Sequence, residues 1–481
     1  MSGAASAETH ATSRGSGPAR ALVASACLAA LAGHALASLS PAVGLGVLIV
    51  GLVCFLALVW PPAAFLVVAA GLPFYQLAAW EVVPGLRLTS LELVGAFLLL
   101  GLMLPRPMRL APGIRELPGQ FWLLAALLAW GLVSAATAPF GQQEPLTSLK
   151  PFLAVLVFWF LTFTFARRRN WFVLLITALA VGTVGAQSLG LPQAVTRRGM
   201  GGAAPSEVVE MRGRRFVKVG AVRVVGLMPD PNFYAYASAV ALPLCLAGLF
   251  SARRRKVLWG IAGGVLAAAL IVSYSRGALI AAAAALGWFV LRVRAFRLPA
   301  VAVLLVAVAV SGAVAPGAYV RRMHQLAAGQ LDESILLRFR YARLAIDLAA
   351  SHPLFGIGVG NFMKVNPREQ EVHNTYLQVA AEIGIPGLGI FAALLALSVR
   401  DLLRARKRLL ESGEMRQVVV MAAVESAVVG TMVFWLFFSM FGNKTAWFLL
   451  GVAAAAPHAV VPPGDAEGLA PASRRGAAQP G

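Results

Sequence analysis

The chain has few charged residues, and this shortage restricts what it can be. Only 13% of its residues are charged, whereas soluble domains are about a quarter charged. Hydrophobic residues make up 59% of the chain, and the mean hydropathy is +0.77. A surface this apolar cannot be kept in water, so most of the outside must face lipid. The composition therefore excludes an ordinary soluble enzyme.

Cysteine is scarce as well. Cys27, Cys54 and Cys245 all lie in apolar runs, and none forms a CxxC pair. This pattern predicts buried thiols in a membrane core rather than disulfides or metal ligands. A nucleotide site is also disfavoured, because the glycines of "FGIGVGNF" lack the GxGxxG spacing that follows a strand and holds phosphates.

Apolar stretches long enough to cross a bilayer recur along the chain, since a membrane helix needs about 20 apolar residues. Fourteen candidates lie at 21–39, 43–60, 62–80, 89–105, 121–138, 150–166, 171–190, 231–250, 257–273, 277–294, 299–316, 376–399, 417–438 and 443–458. The first is expected to be retained, although the "ALA" within it leaves cleavage as a signal peptide open. The sequence predicts an all-α, polytopic membrane protein with about 12–14 transmembrane helices.

Basic segments between these stretches give the orientation, because Lys and Arg in short loops prefer the cytoplasm. With the N-terminus inside, "PRPMRLAPGIR", "ARRRN", "SARRRK", "RVRAFR" and "RDLLRARKRLLESGEMR" all face the cytoplasm. The net charge of +21 is then mainly a topology signal, and no nucleic-acid partner is needed to explain it. The predicted organisation is a disordered cytoplasmic N-terminus (1–20), a transmembrane bundle (21–190), a basic outer loop (191–230), further transmembrane helices with an SRG corner (231–316), a large outer loop with an amphipathic helix (317–375), C-terminal transmembrane helices (376–458) and a disordered cytoplasmic tail (459–481).

The two predicted outer loops are basic although topology does not require it. Residues 191–230 contain seven Arg or Lys residues, among them Arg215 and Arg223, against three acids, and 317–375 also contain seven. A cationic outer surface suggests an anionic ligand at the outer leaflet, such as a lipid pyrophosphate or an acidic glycan. Alternatively, these are solvated charges that pair with lipid headgroups.

A polar cluster comes directly before the predicted span at 376–399. His373, Asn374 and Tyr376 would lie at its outer mouth, where a lipid-linked substrate presents its head. A histidine of ordinary pKa, about 6.5, can accept a proton when neutral, and nearby arginines favour the neutral form. Asn374 could instead simply cap the helix. Glu382 lies deeper in the apolar run, where an ionisable group is either functional or half of a buried ion pair.

Residues 331–350, "LDESILLRFRYARLAIDLAA", predict an amphipathic helix in the second outer loop. Ile335 and Phe339 share its apolar face at helical spacing. Arg338 lies at the edge of that face, whereas Arg340 points away from it. Arg338 is therefore the arginine predicted to point into the protein and bind a phosphate.

Two further polar features adjoin predicted spans. Arg276, in "IVSYSRGALI", stands between two spans on the predicted outer side and indicates a tight corner or a broken helix. It is either a functional arginine or one that snorkels to the lipid surface. Asp230, in "LMPDPNFYAY", precedes another span and is a helix cap or a member of the same site.

Taken in order, these segments resemble a known family. "GLMPDPNFYAYASAVALPL", "YSRGALI", "LRFRYARLAIDLAASHPLFGIGVGNF" and "HNTYLQVAAEIGIPGLGIF" resemble the O-antigen ligase and O-antigen polymerase superfamily of bacterial envelope proteins, over about residues 220–400. The resemblance implies a helical fold of the GT-C type with a large periplasmic loop between late spans. It also implies a glycan donor carried on undecaprenyl pyrophosphate, and no metal or other cofactor.

Under this resemblance the polar residues take roles in glycosyl transfer. Arg276 and Arg338 would bind the donor pyrophosphate and offset the charge that grows on the leaving group. His373 would take the proton from the acceptor hydroxyl. The remaining assignments are Arg340 in place of Arg338 if the register is shifted, Arg223 and Arg215 as extensions of the basic surface, and Asn374, Tyr376, Glu382 and Asp230 as orienting residues.

The acceptor stays open at this point. A ligase transfers the glycan to a lipid A–core sugar, a polymerase to another lipid-linked repeat unit, and a protein O-oligosaccharyltransferase to a protein hydroxyl. A non-enzymatic transporter of lipid-linked glycans also fits the basic surface, but it should show internal repeats, and none is visible. The predicted location is the bacterial inner membrane, with the active site facing the periplasm and membrane lipids, a chain-length regulator or a flippase as candidate partners.

Overall fold

The computed structural model describes residues 41–74, 79–83, 86–105, 111–139, 145–198, 206–212, 215–251, 254–293, 297–298, 301, 305 and 333–460. The helices are α1 (Pro41–Val59), α2 (Pro61–Gly71), α3 (Ser90–Met103), α4 (Gly119–Ala136), α5 (Pro145–Ala166), α6 (Arg169–Gly190), α7 (Gln193–Thr196), α8 (Pro231–Ser251), α9 (Lys256–Val272), α10 (Arg276–Arg292), α11 (Glu333–Ser351), α12 (Phe362–Val365), α13 (Thr375–Glu411), α14 (Met415–Phe434) and α15 (Lys444–Ala459). The strands are β1 (Ala79–Val83), β2 (Leu86–Thr89), β3 (Ser206–Arg212) and β4 (Arg215–Arg223).

The helices follow the predicted spans closely. Each predicted span within the described residues coincides with a helix, and the spans at 21–39 and 299–316 lie outside them, apart from isolated positions. The span predicted at 62–80 is shorter, because α2 ends at Gly71 and a strand begins at Ala79. Five of the described helices are long and apolar enough to cross a membrane, which confirms an all-α, polytopic membrane protein.

Two antiparallel hairpins, which the sequence did not predict, join this helical fold. β1 pairs with β2, and β3 pairs with β4 with an irregular register between Glu207 and Val209. The second hairpin occupies the predicted basic loop at 191–230. Arg215 lies in it opposite Arg212.

The C-terminal helix α15 forms the centre of the bundle. It is buried around almost its whole circumference, and it packs against α5 and α13. Alanines occupy many of its positions, and small side chains let neighbouring membrane helices approach closely. Cys54 and Cys245 are buried free thiols, as predicted, whereas Cys27 lies outside the described residues.

Helix α13 is broken near its start. The glycine-rich segment at 354–362, called the glycine loop below, packs against this break. Gly384 has φ 81° and ψ 175°, and Pro386 follows within the helix. Proline has no N–H to donate, so the carbonyl of Glu382 is released from the helical ladder. That carbonyl accepts instead from the backbone N–H of Gly358 at 3.0 Å and from the Ser134 hydroxyl at 2.7 Å.

A side chain at either end of this contact would prevent it. A Cβ at Gly384 would lie 2.2 Å from the Leu354 carbonyl oxygen, and one at Gly356 would lie 2.5 Å from the Glu382 carbonyl carbon. The absence of side chains at these glycines thus allows the two backbones to approach closely. Its consequence is that the loop after α11 is fixed rigidly to the first turns of α13.

The amphipathic helix predicted at 331–350 is present as α11, but the predicted face was wrong. Phe339 is 62% exposed. Tyr341, Ala345 and Leu348 are buried instead, and they pack against the glycine loop and Val372. Both sets follow helical spacing, so periodicity alone could not choose between them.

An ion cluster lies where α10, α13 and α14 meet, at the end of the bundle predicted to face the cytoplasm. The Glu425 carboxylate, 3% exposed, accepts hydrogen bonds from Arg406 Nε at 2.8 Å and from Trp288 Nε1 at 3.2 Å. Arg292 Nε lies 3.4 Å from the same carboxylate. These four residues are called the glutamate cluster below.

Candidate functional site

His373 lies in the turn that leads into α13. Its φ is 58°, a left-handed conformation that non-glycine residues seldom adopt. The imidazole is half-buried, with ring centroids 5.5 Å from Phe438 and 6.4 Å from Tyr341. Its Nδ1 is buried and has no hydrogen-bond partner among the described residues. Strained backbone and an unsatisfied polar atom are features of functional sites rather than of packing.

The surroundings keep this imidazole neutral. Burial, and to a lesser extent the positive charge of Arg338, lower the pKa of His373 to about 4, and the negative charge of Asp230 acts in the opposite direction. The prediction that neighbouring arginines favour the neutral form agrees in direction, although burial is the larger cause. A neutral imidazole with a free nitrogen can accept a proton.

Glu371 lies two residues before His373 and was not predicted as a site residue. Burial, and to a lesser extent the negative charge of Asp230, raise the pKa of its carboxyl to about 7. Asp230 therefore interacts with both Glu371 and His373, although α8 and α13 are far apart in sequence. His373, Arg338, Asp230 and Glu371 form what is called the histidine site below.

The three arginines of α11, Arg338, Arg340 and Arg343, differ in their exposure. Arg338 is half-buried and close enough to act on the pKa of His373, whereas Arg340 is exposed. Arg343 is exposed too, and its Nε lies 4.0 Å from Asp347. Of these arginines, Arg338 is the one whose charge acts on His373.

The SRG corner is a tight turn, as predicted. Helix α9 ends at Val272, Tyr274 has φ 52°, and the Ser275 hydroxyl caps α10, which begins at Arg276. The corner packs against the segment after α14, because a Cβ at Gly277 would lie 2.8 Å from the Cβ of Phe437. Phe437 precedes the ring that contacts His373, so the corner adjoins the histidine site.

Arg223 braces this corner. Its Nε donates to the Ser273 carbonyl at 3.0 Å and its Nη2 to Asn232 Oδ1 at 3.2 Å. The Ser275 hydroxyl donates to the same Asn232 oxygen at 2.7 Å. Asp230 Oδ1 in turn accepts from the Asn232 N–H at 2.6 Å. These bonds fix the start of α8 to the corner that carries Arg276.

Asn374 and Tyr376 make hydrogen bonds at the first turn of α13. Asn374 Oδ1 caps α13 by accepting from the Leu377 N–H at 3.0 Å, and its Nδ2 donates to the Leu436 carbonyl at 3.2 Å. The Tyr376 hydroxyl donates to the Met432 carbonyl at 2.9 Å. Both bonds attach the first turn of α13 to α14 and the segment that carries Phe438.

Glu382 holds the glycine loop and faces a cavity. Its carboxylate accepts from the Phe362 N–H at 3.3 Å and from Gln378 Nε2 at 3.4 Å. The cavity encloses about 410 Å³ and is also lined by Glu371 and Ser439. Sequence reasoning missed Glu371, Gln378 and Ser439. The only available signal was that the first two flank the His-Asn pair.

No metal centre is evident in the described part of the chain, which contains no group of three or more His, Cys, Asp or Glu side chains placed to hold an ion. The cations at this site are guanidinium groups. Arg338 acts on His373, and Arg276 begins α10 at the adjoining corner. Such groups bind phosphate oxygens through planar, charge-assisted hydrogen bonds.

Comparison with known families places these motifs in one match. Residues 261–392 match the family model described as O-antigen ligase. The match includes the SRG corner, α11, the glycine loop and the first part of α13, whereas Asp230 and Arg223 precede it. No match was found among curated proteins. The predicted resemblance to the O-antigen ligase and O-antigen polymerase superfamily is thus confirmed over residues 261–392.

Proposed function

We propose that the protein is a glycosyltransferase of the O-antigen ligase or surface-polysaccharide polymerase type. In this proposal it transfers a glycan from undecaprenyl pyrophosphate to an acceptor hydroxyl at the periplasmic face of the bacterial inner membrane. The observation that carries the proposal is the convergence on one site of a neutral, half-buried His373, the arginine of α11 and the SRG corner.

The proposed chemistry is a single displacement at the anomeric carbon. His373 takes the proton of the acceptor hydroxyl, and the acceptor oxygen forms a bond to the anomeric carbon. The bond from that carbon to the pyrophosphate oxygen breaks, and the lipid pyrophosphate leaves with the electron pair. Arg338 and Arg276 stabilise the charge that develops on it. Base catalysis of this kind accelerates transfer by about 10²–10⁴-fold.

The periplasmic placement is supported by agreement between charge and packing. The elements of the histidine site all meet at the ends of helices that the basic loops predict to be outside. The glutamate cluster lies at ends predicted to be inside. A cysteine at exposed Arg368 should therefore react with a membrane-impermeant maleimide in intact spheroplasts. Reaction only after permeabilisation would contradict the proposal.

A transporter is the main competitor, and the break in α13 is the feature that could favour it. Transporters place broken helices along a path across the membrane. Here the break at Gly384 is filled by the glycine loop, which satisfies the released carbonyls. It acts as a docking point rather than a lining of a path, and this supports an enzyme.

The test is complementation of a deletion strain with full-length variants, read on a gel of surface polysaccharide. His373→Asn or Arg276→Gln at normal protein levels should abolish the product. Loss of long chains would indicate a polymerase, long chains retained on the lipid carrier a ligase, and loss of glycan from a protein an O-oligosaccharyltransferase. Unchanged polysaccharide in both variants would refute the proposed mechanism.

A further inference from the structure

The cavity beside the histidine site has walls from several parts of the chain. Phe152 of α5 and Phe233 of α8 form apolar walls, while Gln378 of α13 and Ser439 contribute polar ones. Its volume of about 410 Å³ lies within the range of ligand-binding pockets, roughly 300–1,000 Å³. Polar groups on an otherwise apolar wall are typical of a site that orients a bound molecule.

The cavity adjoins the proposed base on two sides. Phe233, on its wall, packs edge-to-face against Phe438 with ring centroids 5.5 Å apart, and Phe438 lies 5.5 Å from the His373 ring. Glu371, two residues before His373, also lines it. The cavity therefore adjoins the histidine site, although His373 itself is not among the residues that line it.

The charge of the lining is opposite to that of the arginines. Among the described residues that line the cavity, Glu371 and Glu382 are acids and none is Lys or Arg. A pyrophosphate would be repelled here and attracted to Arg338 and Arg276. An uncharged ring with several hydroxyls fits better, because carboxyl, amide and hydroxyl groups can both accept and donate hydrogen bonds to it.

Ser439 gives an independent indication of a ligand. The residue is only 5% exposed and lines the cavity, yet its hydroxyl has no hydrogen-bond partner among the described residues. A buried hydroxyl without a partner is unfavourable. A sugar hydroxyl bound in the cavity would supply the missing partner.

We propose that this cavity is the acceptor subsite, and that it binds an uncharged sugar ring through Gln378 and Ser439 so that one ring hydroxyl extends past Glu371 and Phe233 toward the histidine site. This rests on the proposed function, because it assigns to the cavity the molecule that His373 deprotonates. Glu371 suits such a ligand, since a carboxyl with a pKa of about 7 both donates and accepts hydrogen bonds at neutral pH.

The test uses the full-length protein in lipid nanodiscs and measures KM separately for donor and acceptor. The donor is the lipid-linked glycan of a strain that lacks the gene. The acceptor probe is the repeat unit or the core oligosaccharide freed from lipid, whichever the wild-type protein glycosylates. Without a pyrophosphate, the probe can act only as an acceptor.

Ser439→Ala and Gln378→Leu should each raise the acceptor KM about tenfold, as expected for one lost hydrogen bond to the sugar. The donor KM and kcat should not change. Thr164→Val is the matched control for Ser439→Ala. Thr164 in α5 also has a buried hydroxyl without a partner among the described residues, but it does not line the cavity. This control should leave both KM values unchanged.

A cavity-filling variant tests the same subsite in case the loss of one hydrogen bond changes the acceptor KM too little to measure. Gly442 lines the cavity, and a Cβ there would lie an ordinary 3.6 Å from Pro151 Cβ, so Gly442→Leu should fill space without distorting the fold. Its acceptor KM should rise more than tenfold. Gly389→Leu, at a position in α13 with nothing within 4 Å of a Cβ, should have no effect.

The outcomes separate this inference from the proposed function. A rise in donor KM instead would mean that the cavity holds the donor sugar, and unchanged KM values in all three cavity variants would mean that no sugar binds there. Either result overturns the inference. If His373→Asn is inactive in the same assay, the proposed function stands. Full activity of His373→Asn would remove the role of His373 as the base, and a wild-type protein that transfers no glycan would remove the function itself.

Discussion

The glutamate cluster and the histidine site are both buried and polar, but they differ in how their polar atoms are hydrogen-bonded. In the glutamate cluster, each oxygen of Glu425 has a hydrogen-bond donor, and two arginines balance its charge. Buried groups satisfied in this way hold elements together, and removal of one partner leaves an uncompensated charge.

The histidine site leaves polar capacity unused. His373 Nδ1 has no partner within the described residues, its backbone is in a left-handed conformation, and Glu371 and Asp230 raise each other's energy as neighbouring acids. Such an arrangement is unfavourable for the empty protein and becomes favourable when a substrate supplies the missing partners. Under the proposed function, one end of the bundle serves stability and the other serves chemistry.

The largest expected effect is on chemistry at the histidine site. His373→Asn should lower transfer by about 10²–10⁴-fold, since it removes the proposed base. Stability should change little, because asparagine adopts a left-handed backbone more readily than most residues. The measurement is kcat for glycan transfer, together with the unfolding temperature of the purified protein.

The matched control for this variant is His352→Asn. His352 is a half-buried histidine at the end of α11, and its Nδ1 lies 3.0 Å from the Ser351 hydroxyl. This control should keep wild-type kcat. If both histidine variants lost activity equally, the assignment of the base to His373 would have no support.

Substitution in the glutamate cluster, at the opposite end of the bundle, should lower stability and leave glycan transfer unchanged. Glu425→Gln should lower the free energy of unfolding by about 3 kcal/mol, because two arginines lose their buried counter-charge. Transfer per folded molecule should stay near wild type. The control is Glu411→Gln. The Glu411 side chain is 63% exposed and lies 3.8 Å from Lys407, so its replacement should change stability by less than about 0.5 kcal/mol.

Glu425→Gln and Glu411→Gln are compared by denaturation in detergent and by single-turnover transfer, both measured on the same preparation. A Glu425→Gln protein that keeps its stability but loses kcat would reverse the division between the two ends.

Arg338 and Arg340 allow a sharper test within α11. Arg338→Gln should lower transfer about 10–100-fold through the loss of charge-assisted hydrogen bonds to the leaving group. Arg340→Gln should have little effect, because that side chain is exposed. Equal losses in both variants would point to a general attraction of the anionic donor rather than to one bound phosphate.

The pH dependence of glycan transfer tests whether Arg338 lowers the pKa of His373. Arg338 helps to hold the pKa of His373 down at about 4, so transfer should fall only as the pH drops through that value. Without the guanidinium, the pKa of His373 rises toward its ordinary value of about 6.5. More of the base is then protonated at pH 5, and the acid limb of the profile in Arg338→Gln should move to higher pH. A limb that stays in place would show that Arg338 does not act on His373.

Much of this arrangement was predictable because it is encoded locally. Apolar length gave the helices, and the Ser-Arg-Gly turn between two apolar runs gave the corner at Arg276. A polar triplet before a span gave the start of α13. Each of these signals comes from a few neighbouring residues and from the bilayer, which acts on every helix in the same way.

The rest depended on contacts between distant segments. Only the family resemblance, and no local pattern, grouped Asp230 with His373, and the sequence could not assemble a cavity from α5, α8, α13 and the segment after α14. The face of α11 was predicted wrongly because the helix has two apolar stripes, and only packing of the glycine loop against Tyr341 selects one. The break in α13 at Gly384 and Pro386 was not predicted either, since residues 376–399 were interpreted as one span.

The smallest expected effect is at Asn374, which we expect to contribute to both stability and transfer. Its side chain caps α13 and also holds the Leu436 carbonyl, two residues before Phe438. Asn374→Ala should lower stability by about 1 kcal/mol, as Thr89→Ala should through the lost cap of α3. Only Asn374→Ala should also lower kcat, by a few-fold, because Phe438 packs on the His373 ring. Asn374→Ser restores the cap without the bond to Leu436, so it should recover stability but not kcat. Recovery of both by serine would show that Asn374 is a cap and nothing more, and the turn at Leu436 would then have no part in placing the base.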